Sequence, residues 1–268
     1  MTGAGGMLGQ DVLRRAEGTA IGLTRADLDV TDRDAVRAAI GPGDVVINCA
    51  AWTDVDGAES HSYDAMRVNA DGARNVAEAA GTVIYVSSDY VFDGTKGSPY
   101  IESDPVNPIS EYGRSKAAGE RATLEANPRS HVVRTSWLFG AGGSNFIATM
   151  LRLGAERDSV NVVDDQVGQP TYTGHLAYAL LDLTAIEDFG VHHVAGQGWC
   201  SWYDLARYVF ESAGVDCEVE PCTTAEFPRP APRPANSVLG SERTARQPLL
   251  PRWQQGVDEY LATLGVRA

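Results

Sequence analysis

Ser88, Tyr112 and Lys116 are the side chains best suited to do chemistry together in this chain. Tyr112 and Lys116 stand in the run Glu111-Tyr112-Gly113-Arg114-Ser115-Lys116. Four residues apart on a helix, they share one face, a turn apart. A lysine ammonium beside a phenol lowers the cost of ionising a group whose pKa is ordinarily about 10. The spacing therefore predicts a tyrosine that gives and takes protons near neutral pH. Lys96 and Lys116 are the only lysines, and arginine supplies the remaining basic residues. A lysine at this position is thus hard to attribute to surface decoration. From spacing alone, an ordinary solvated helix face stays open as the competing reading.

The elements that must position these residues begin with Thr2-Gly3-Ala4-Gly5-Gly6-Met7-Leu8-Gly9. Gly3, Gly6 and Gly9 allow a tight turn, close backbone approach to a pyrophosphate and close helix packing, with a helix N-terminus facing the anion. A flexible glycine-rich start is the plainer alternative. Such a turn should follow a buried central strand, yet only Met1 and Thr2 precede it. The first strand is expected to be missing, with a gap in the sheet beside the cofactor and an upstream extension of the native chain.

Strands are expected at 20–24, 44–51, 82–87 and 131–135, with a long crossover helix at 57–80 and a helix at 111–126. This alternation predicts an α/β chain with a Rossmann-type, doubly wound parallel sheet. Further helices are expected at 145–156, 173–187, 201–213 and 253–264. Pro228, Pro230, Pro232 and Pro234 interleave with Arg229 and Arg233. That stretch reads as a linker or, slightly favoured, as an ordered wall offering arginines to an anion. An open parallel sheet binds ligands beyond the carboxyl ends of its strands. Three polar clusters fall at such ends: 48–53, 87–94 and 135–137.

The formal net charge is −14. A surface so acidic repels nucleic acid and anionic lipid, which excludes both as expected partners. No segment reads as a membrane span or a signal peptide, so a cytoplasmic protein is expected. Cys49, Cys200, Cys217 and Cys222 lack zinc-type spacing. Cys49 reads as a core thiol. A Cys217–Cys222 disulfide stays open beside the favoured reduced state.

The stretches TGAGGMLGQDV, NCAAWTDVDGAE, VNADGARNVAEAA, VSSDYVFDG, YGRSKAAGE, VRTSWLFG, NFIATMLRL, DDQVGQPTYTGHLA and RPANSVL span nearly the whole chain. In them the sequence resembles the extended short-chain dehydrogenase/reductases. Among these it is similar to the dTDP-4-dehydrorhamnose reductase family, which reduces the 4-keto group of a dTDP-linked 6-deoxyhexose. The resemblance implies a Rossmann unit, 1–138 with about 172–195, and a smaller C-terminal substrate-binding unit, 139–171 with about 196–268.

It also implies roles. Tyr112 would protonate the sugar oxygen, Lys116 would lower the phenol's pKa and bond the nicotinamide ribose, and Ser88 would polarise the carbonyl. Asp89 and Trp137 would contact the substrate with Ser88 and Tyr112. Gly3, Gly6, Met7 and Leu8 would meet the dinucleotide, and Asp29 and Val30 its adenine side. Cys49, Ala50 and Ala51 would lie beneath it, with Asn69 and Val86 near. NADPH is the expected cofactor, with NADH tolerated, because Arg25 favours a 2′-phosphate although Asp27 and Asp29 oppose one. The substrate would be a dTDP-linked 4-keto-6-deoxy sugar. A homodimer is compatible with the family, and no metal site is assigned. Two alternatives stay open: a reductase of another dTDP-4-keto sugar, streptose-type or antibiotic, and a non-catalytic nucleotide-binding regulatory subunit.

Overall fold

The computed structural model describes residues 1–243 and 248–266; residues 244–247 and 267–268 of the expected C-terminal unit lie outside the described residues. Four parallel strands, Val45–Asn48, Thr82–Ser88, Ser130–Thr135 and Gly190–His193, pair in that order in one sheet. Successive strand residues point to opposite faces, and both faces are covered. Val46 and Val83 pack with Leu28, Val30, Val36 and Val76. Their neighbours Ile47 and Ile84 pack with Leu8, Val12, Leu176 and Leu180 on the other side. The sheet is therefore doubly wound, as expected. Its register sets Asn48 opposite Tyr85 and Ser88 opposite Thr135, so the polar clusters gather at one edge.

The expected gap beside the cofactor is closed at Thr2. This residue bridges Leu23 on one side and Asn48 on the other. Its N–H donates to Ile47 O at 3.1 Å, and its C=O accepts from Cys49 N at 3.2 Å. The Thr2 hydroxyl donates to Asn48 Oδ1 at 2.7 Å. With so short a neighbour to pair with, the strand expected at 20–24 shrinks to the bridge at Leu23.

The helix expected at 57–80 is four pieces: Val55–Ser60, Ser62–Met66, a π-helical turn at Arg67–Asp71, and Gly72–Ala79. His61 (φ −127°, ψ 41°) interrupts the first two. The wide turn inserts one residue per bonded ring, a feature common at functional sites, and it buries Asn69 completely. The helix expected at 173–187 ends at Leu183. A separate hydrophobic cluster unites Phe139 of the short strand Leu138–Phe139 with Ile147, Leu205, Phe210, Trp253, Val257 and Leu261 from the helices Phe146–Glu156, Trp202–Ala213 and Trp253–Thr263. All four cysteines are free thiols.

One buried polar pair makes the fold sensitive to acid. His131 Nδ1 lies 3.0 Å from His192 Nε2, and His131 Nε2 lies 2.9 Å from Ile186 O. A carbonyl accepts only, so His131 carries its proton on Nε2, and its Nδ1 accepts a hydrogen bond from His192 Nε2–H. His192 Nδ1 is then buried, with no hydrogen-bond partner within normal distance among the described residues. Burial pushes both imidazoles down, His192 to about 4. The folded state thus holds His192 neutral where the unfolded chain takes a proton at about 6.5. Stability from this pair is complete above pH 6.5 and is lost as pH falls towards 4. The unfolding free energy read from urea denaturation should therefore drop between pH 7 and pH 5, by on the order of 1 kcal/mol or more. His192→Val should flatten that slope; an unchanged slope in the variant would assign it elsewhere.

Candidate active site

A cleft of about 770 Å³ opens at the carboxyl edge of the sheet. One end is the glycine turn. Gly3 has φ +70°, and a Cβ there would lie 2.5 Å from Ala50 N; a Cβ on Gly9 would lie 2.3 Å from Gly3 O. Only glycine allows these two approaches. The helix Met7–Arg15 begins at Gly6 with no side-chain cap and no acidic residue in its first turn. Its unpaired amide N–H groups are thus free for an anion. Such a cradle fits a dinucleotide pyrophosphate.

Gly3, Gly6, Met7, Leu8, Asp29, Val30, Cys49, Ala50, Ala51, Val86, Ser88, Asp89, Tyr112, Lys116 and Trp137 all line this one cleft. Of the expected site residues only Asn69 does not. Its Oδ1 accepts from Trp52 N at 2.8 Å, and its Nδ2 donates to Trp52 O at 3.1 Å and to Ser115 Oγ at 2.8 Å. Ser115 Oγ donates in turn to Tyr112 O at 2.7 Å. Asn69 therefore fastens the 50–53 loop to the helix Glu111–Ala126 that carries Tyr112. Both polar atoms of its amide are engaged in this, so Asn69 shapes the loop beside the cleft.

The Tyr/Lys pair also departs from expectation. Lys116 is buried; its Nζ donates to Val86 O at 2.7 Å and lies 4.2 Å from the centre of the Tyr85 ring. Burial pushes the ammonium down to about 7, against the opposing charge of Glu120. Tyr112 is not lowered: burial pushes it up to about 12, while a hydrogen bond with Ser88 pulls it down and the Asp89 charge raises it further. Sharing a helix face does not bring the ammonium onto the phenol here, because the Val86 carbonyl takes it. The phenol is therefore a proton donor at neutral pH.

Ser88 ends its strand, accepts from Tyr90 N and donates to Asp89 Oδ1, both at 3.1 Å. Asp89 is 2% exposed and burial pushes it up to about 7, with hydrogen bonds from Ser237 and Ser88 opposing. Its Oδ2 is buried with no hydrogen-bond partner among the described residues, and Asp89 lines the cleft. Trp137 adopts a left-handed backbone, φ +46°. For a bulky residue that is strain, of the kind that collects at ligand sites. Its indole stacks on Trp202 with ring centres 3.4 Å apart, and a Cβ on Gly168 would come 2.4 Å from its Cε2.

Trp202 also lines a second cavity of about 820 Å³, with Met150, Leu153, Val162, Gln166, Phe227, Arg229 and Arg233. The proline-rich segment is thus an ordered wall rather than a linker. Trp202 and Phe227 gave no signal in the sequence. An aromatic residue beginning one helix and another in a coil look like any core residue until the topology joins them.

On the cofactor side, Arg25 lines the cleft. Asp27 is turned onto the Thr24 N–H and hydroxyl, and Asp29 onto those of Thr31. These bonds hold both carboxyls below their ordinary range. No helix among the described residues is long and apolar enough to cross a membrane.

A family model described as RmlD substrate binding domain matches residues 1–266. A dTDP-4-dehydrorhamnose reductase of Mycolicibacterium smegmatis is 45% identical, over 98% of this chain and 85% of that protein. The dTDP-4-keto-6-deoxy-D-glucose reductase of Streptomyces niveus is 42% identical, over 94% of this chain and 91% of that one. The crystal structure of a Bacillus anthracis dTDP-4-dehydrorhamnose reductase in complex with NADP superposes with a TM-score of 0.93. It is 36% identical and covers 98% of this chain and 97% of its own.

Proposed function

The chain belongs to the RmlD substrate-binding-domain family, and from that membership we propose that it reduces the 4-keto group of a dTDP-linked 6-deoxy sugar with NADPH. The sugar is dTDP-4-dehydro-L-rhamnose and the product dTDP-L-rhamnose. The observation that carries this reading is the convergence of Ser88, Tyr112, Lys116 and Asp89 in the cleft whose wall also includes the Gly3–Gly9 turn. NADH is tolerated in the same cleft, and the enzyme works in the cytoplasm.

NADPH supplies the hydride, which is the cofactor's own chemistry. Gly3, Gly6, Met7 and Leu8 hold its pyrophosphate, Asp29 and Val30 its adenosine end, and Cys49, Ala50 and Ala51 form the floor. Val86 and Lys116 meet the nicotinamide half. Arg25 is the residue placed to take a 2′-phosphate, while Asp27 is held by Thr24.

Negative charge grows on the sugar O4 as the ketone is reduced. Tyr112 donates its proton to that oxygen, and Ser88 polarises the carbonyl by hydrogen bonding to it. Tyr112 stabilises that charge without reorganising, while the Ser88 hydroxyl turns to it from Asp89 Oδ1. Asp89 and Trp137 hold the sugar. The C-terminal unit, 139–171 with 196–268, supplies the second cavity for the nucleoside diphosphate, where Trp202 joins it to the cleft.

The test is NADPH oxidation with dTDP-4-dehydro-L-rhamnose generated in situ, beside dTDP-4-keto-6-deoxy-D-glucose. Turnover on the first at higher kcat/KM is expected. Preference for the second sugar would move the chain to the function of its Streptomyces niveus relative. No turnover on either would favour a non-catalytic role.

A further inference from the structure

Arg229 and Arg233 line the second cavity, but the carboxylate that holds them comes from the Rossmann side. Asp56 stands on the helix Val55–Ser60, next to Val55, which lines the cofactor cleft. Its Oδ2 accepts from Arg229 Nε at 2.9 Å and Nη2 at 2.5 Å. Its Oδ1 accepts from Arg233 Nη1 at 3.0 Å and from Ala231 N at 3.1 Å. Alternate residues of an extended segment face one way. Arg229, Ala231 and Arg233 thus present their donors to one carboxylate, and the intervening prolines fix φ between them. The Asp56 and Arg233 side chains are 17% and 16% exposed, against 50% for Arg229. Arg233 is therefore the shielded, geometrically defined partner. Burial works to raise the Asp56 pKa, but the hydrogen bonds from Arg233, Arg229 and Ala231 outweigh it and hold the carboxyl well below its ordinary range.

We propose that Asp56 is a positioning residue for the sugar nucleotide: it holds Arg233, and through it the proline-rich wall, in the orientation that offers a guanidinium edge to a diphosphate in the second cavity. This rests on the function proposed above. The described hydrogen bonds of Arg233 leave from Nη1 alone, to Asp56 and to Ala231 O at 2.7 Å. The rest of its planar fork is left for the cavity it lines. Two effects of Asp56 oppose each other. Its charge repels an anion, yet two guanidinium groups already share that charge, and the trio stays net positive. Its bonds also order a long side chain before the ligand arrives, which removes an ordering cost from binding. The second effect prevails where the pair is shielded, as it is at Arg233.

The experiment measures dTDP binding by calorimetry, and sugar-nucleotide kinetics, for the wild type, Asp56→Asn and Asp56→Glu. Asp56→Asn should weaken dTDP binding and raise the sugar-nucleotide KM at least about tenfold. Its kcat and NADPH affinity should stay within about twofold, the pattern of lost uniform binding. Asp56→Glu should recover part of the loss. If Asp56→Asn binds dTDP as well as the wild type or more tightly, the carboxylate is a competitor or a bystander and the inference fails. Parallel losses of kcat, NADPH affinity and melting temperature would make Asp56 merely structural, and would overturn it too. A wild type that does not bind dTDP would instead refute the functional reading on which this inference stands.

Discussion

Tyr112→Phe is expected to lower kcat by about 10²–10⁴-fold while NADPH affinity, read by fluorescence titration, changes little. The phenol is held protonated by burial, at about 12. It is a weak acid, but an alkoxide forming at C4 is a stronger base, so transfer runs downhill as the charge develops. Phenylalanine keeps the ring, including its edge-on packing against Tyr90 at 5.9 Å, and removes only the proton. The Ser88 hydroxyl remains to polarise the carbonyl, so activity should fall without vanishing. Since Tyr112 stays protonated through neutral pH, the wild-type rate should show no limb from it between pH 6 and 9. Near-wild-type turnover in the variant would remove Tyr112 from the mechanism.

Arg134→Met is expected to cost about 3–5 kcal/mol of stability, read from urea denaturation. Arg134 and Glu120 are each 4% exposed. Arg134 Nε and Nη2 reach the two carboxylate oxygens at 2.9 and 2.7 Å, and Ser87 Oγ donates to Glu120 Oε1 at 2.6 Å. Removing the guanidinium strands a carboxylate where water cannot reach it. Pairing the change with Glu120→Leu should recover part of the loss, because replacing both partners removes the uncompensated charge. Additive losses in the double variant would contradict this account of the pair. Glu120 stands on the helix that carries Tyr112, one turn after Lys116, and its charge is among the groups that oppose the fall in Lys116's pKa. Arg134→Met should therefore also shift the pH dependence of turnover.

What the sequence revealed was periodic or local. Thr82–Ser88 was readable because a strand buried on both faces carries a continuous apolar run, here Val83–Val86. The glycine turn was readable because its close approaches exclude a Cβ at Gly3 and Gly9. What depended on long-range contact was not. The π-helical turn at Arg67–Asp71 continues a helical pattern, and only the clamp of Asn69 on Trp52, 17 residues away, gives it a purpose. The edge strand Gly190–His193 is short, and two of its four residues are histidines; burial beside His131 makes it a strand. For Tyr112 and Lys116 the sequence carries the spacing but not the surroundings. Periodicity gives the shared helix face, but only the fold supplies the Val86 carbonyl that holds the ammonium. Asp56 is the plainest case, since its partners lie more than 170 residues away.

The most direct test of the central claim follows the hydride. With NADPH carrying deuterium at both C4 positions of the nicotinamide and dTDP-4-dehydro-L-rhamnose as substrate, the product is examined by NMR. The account predicts dTDP-L-rhamnose carrying deuterium at C4 of the sugar, formed by the wild type and, at the same position but far more slowly, by Tyr112→Phe. Deuterium at another carbon, or NADPH consumed with no label in the sugar, would contradict it.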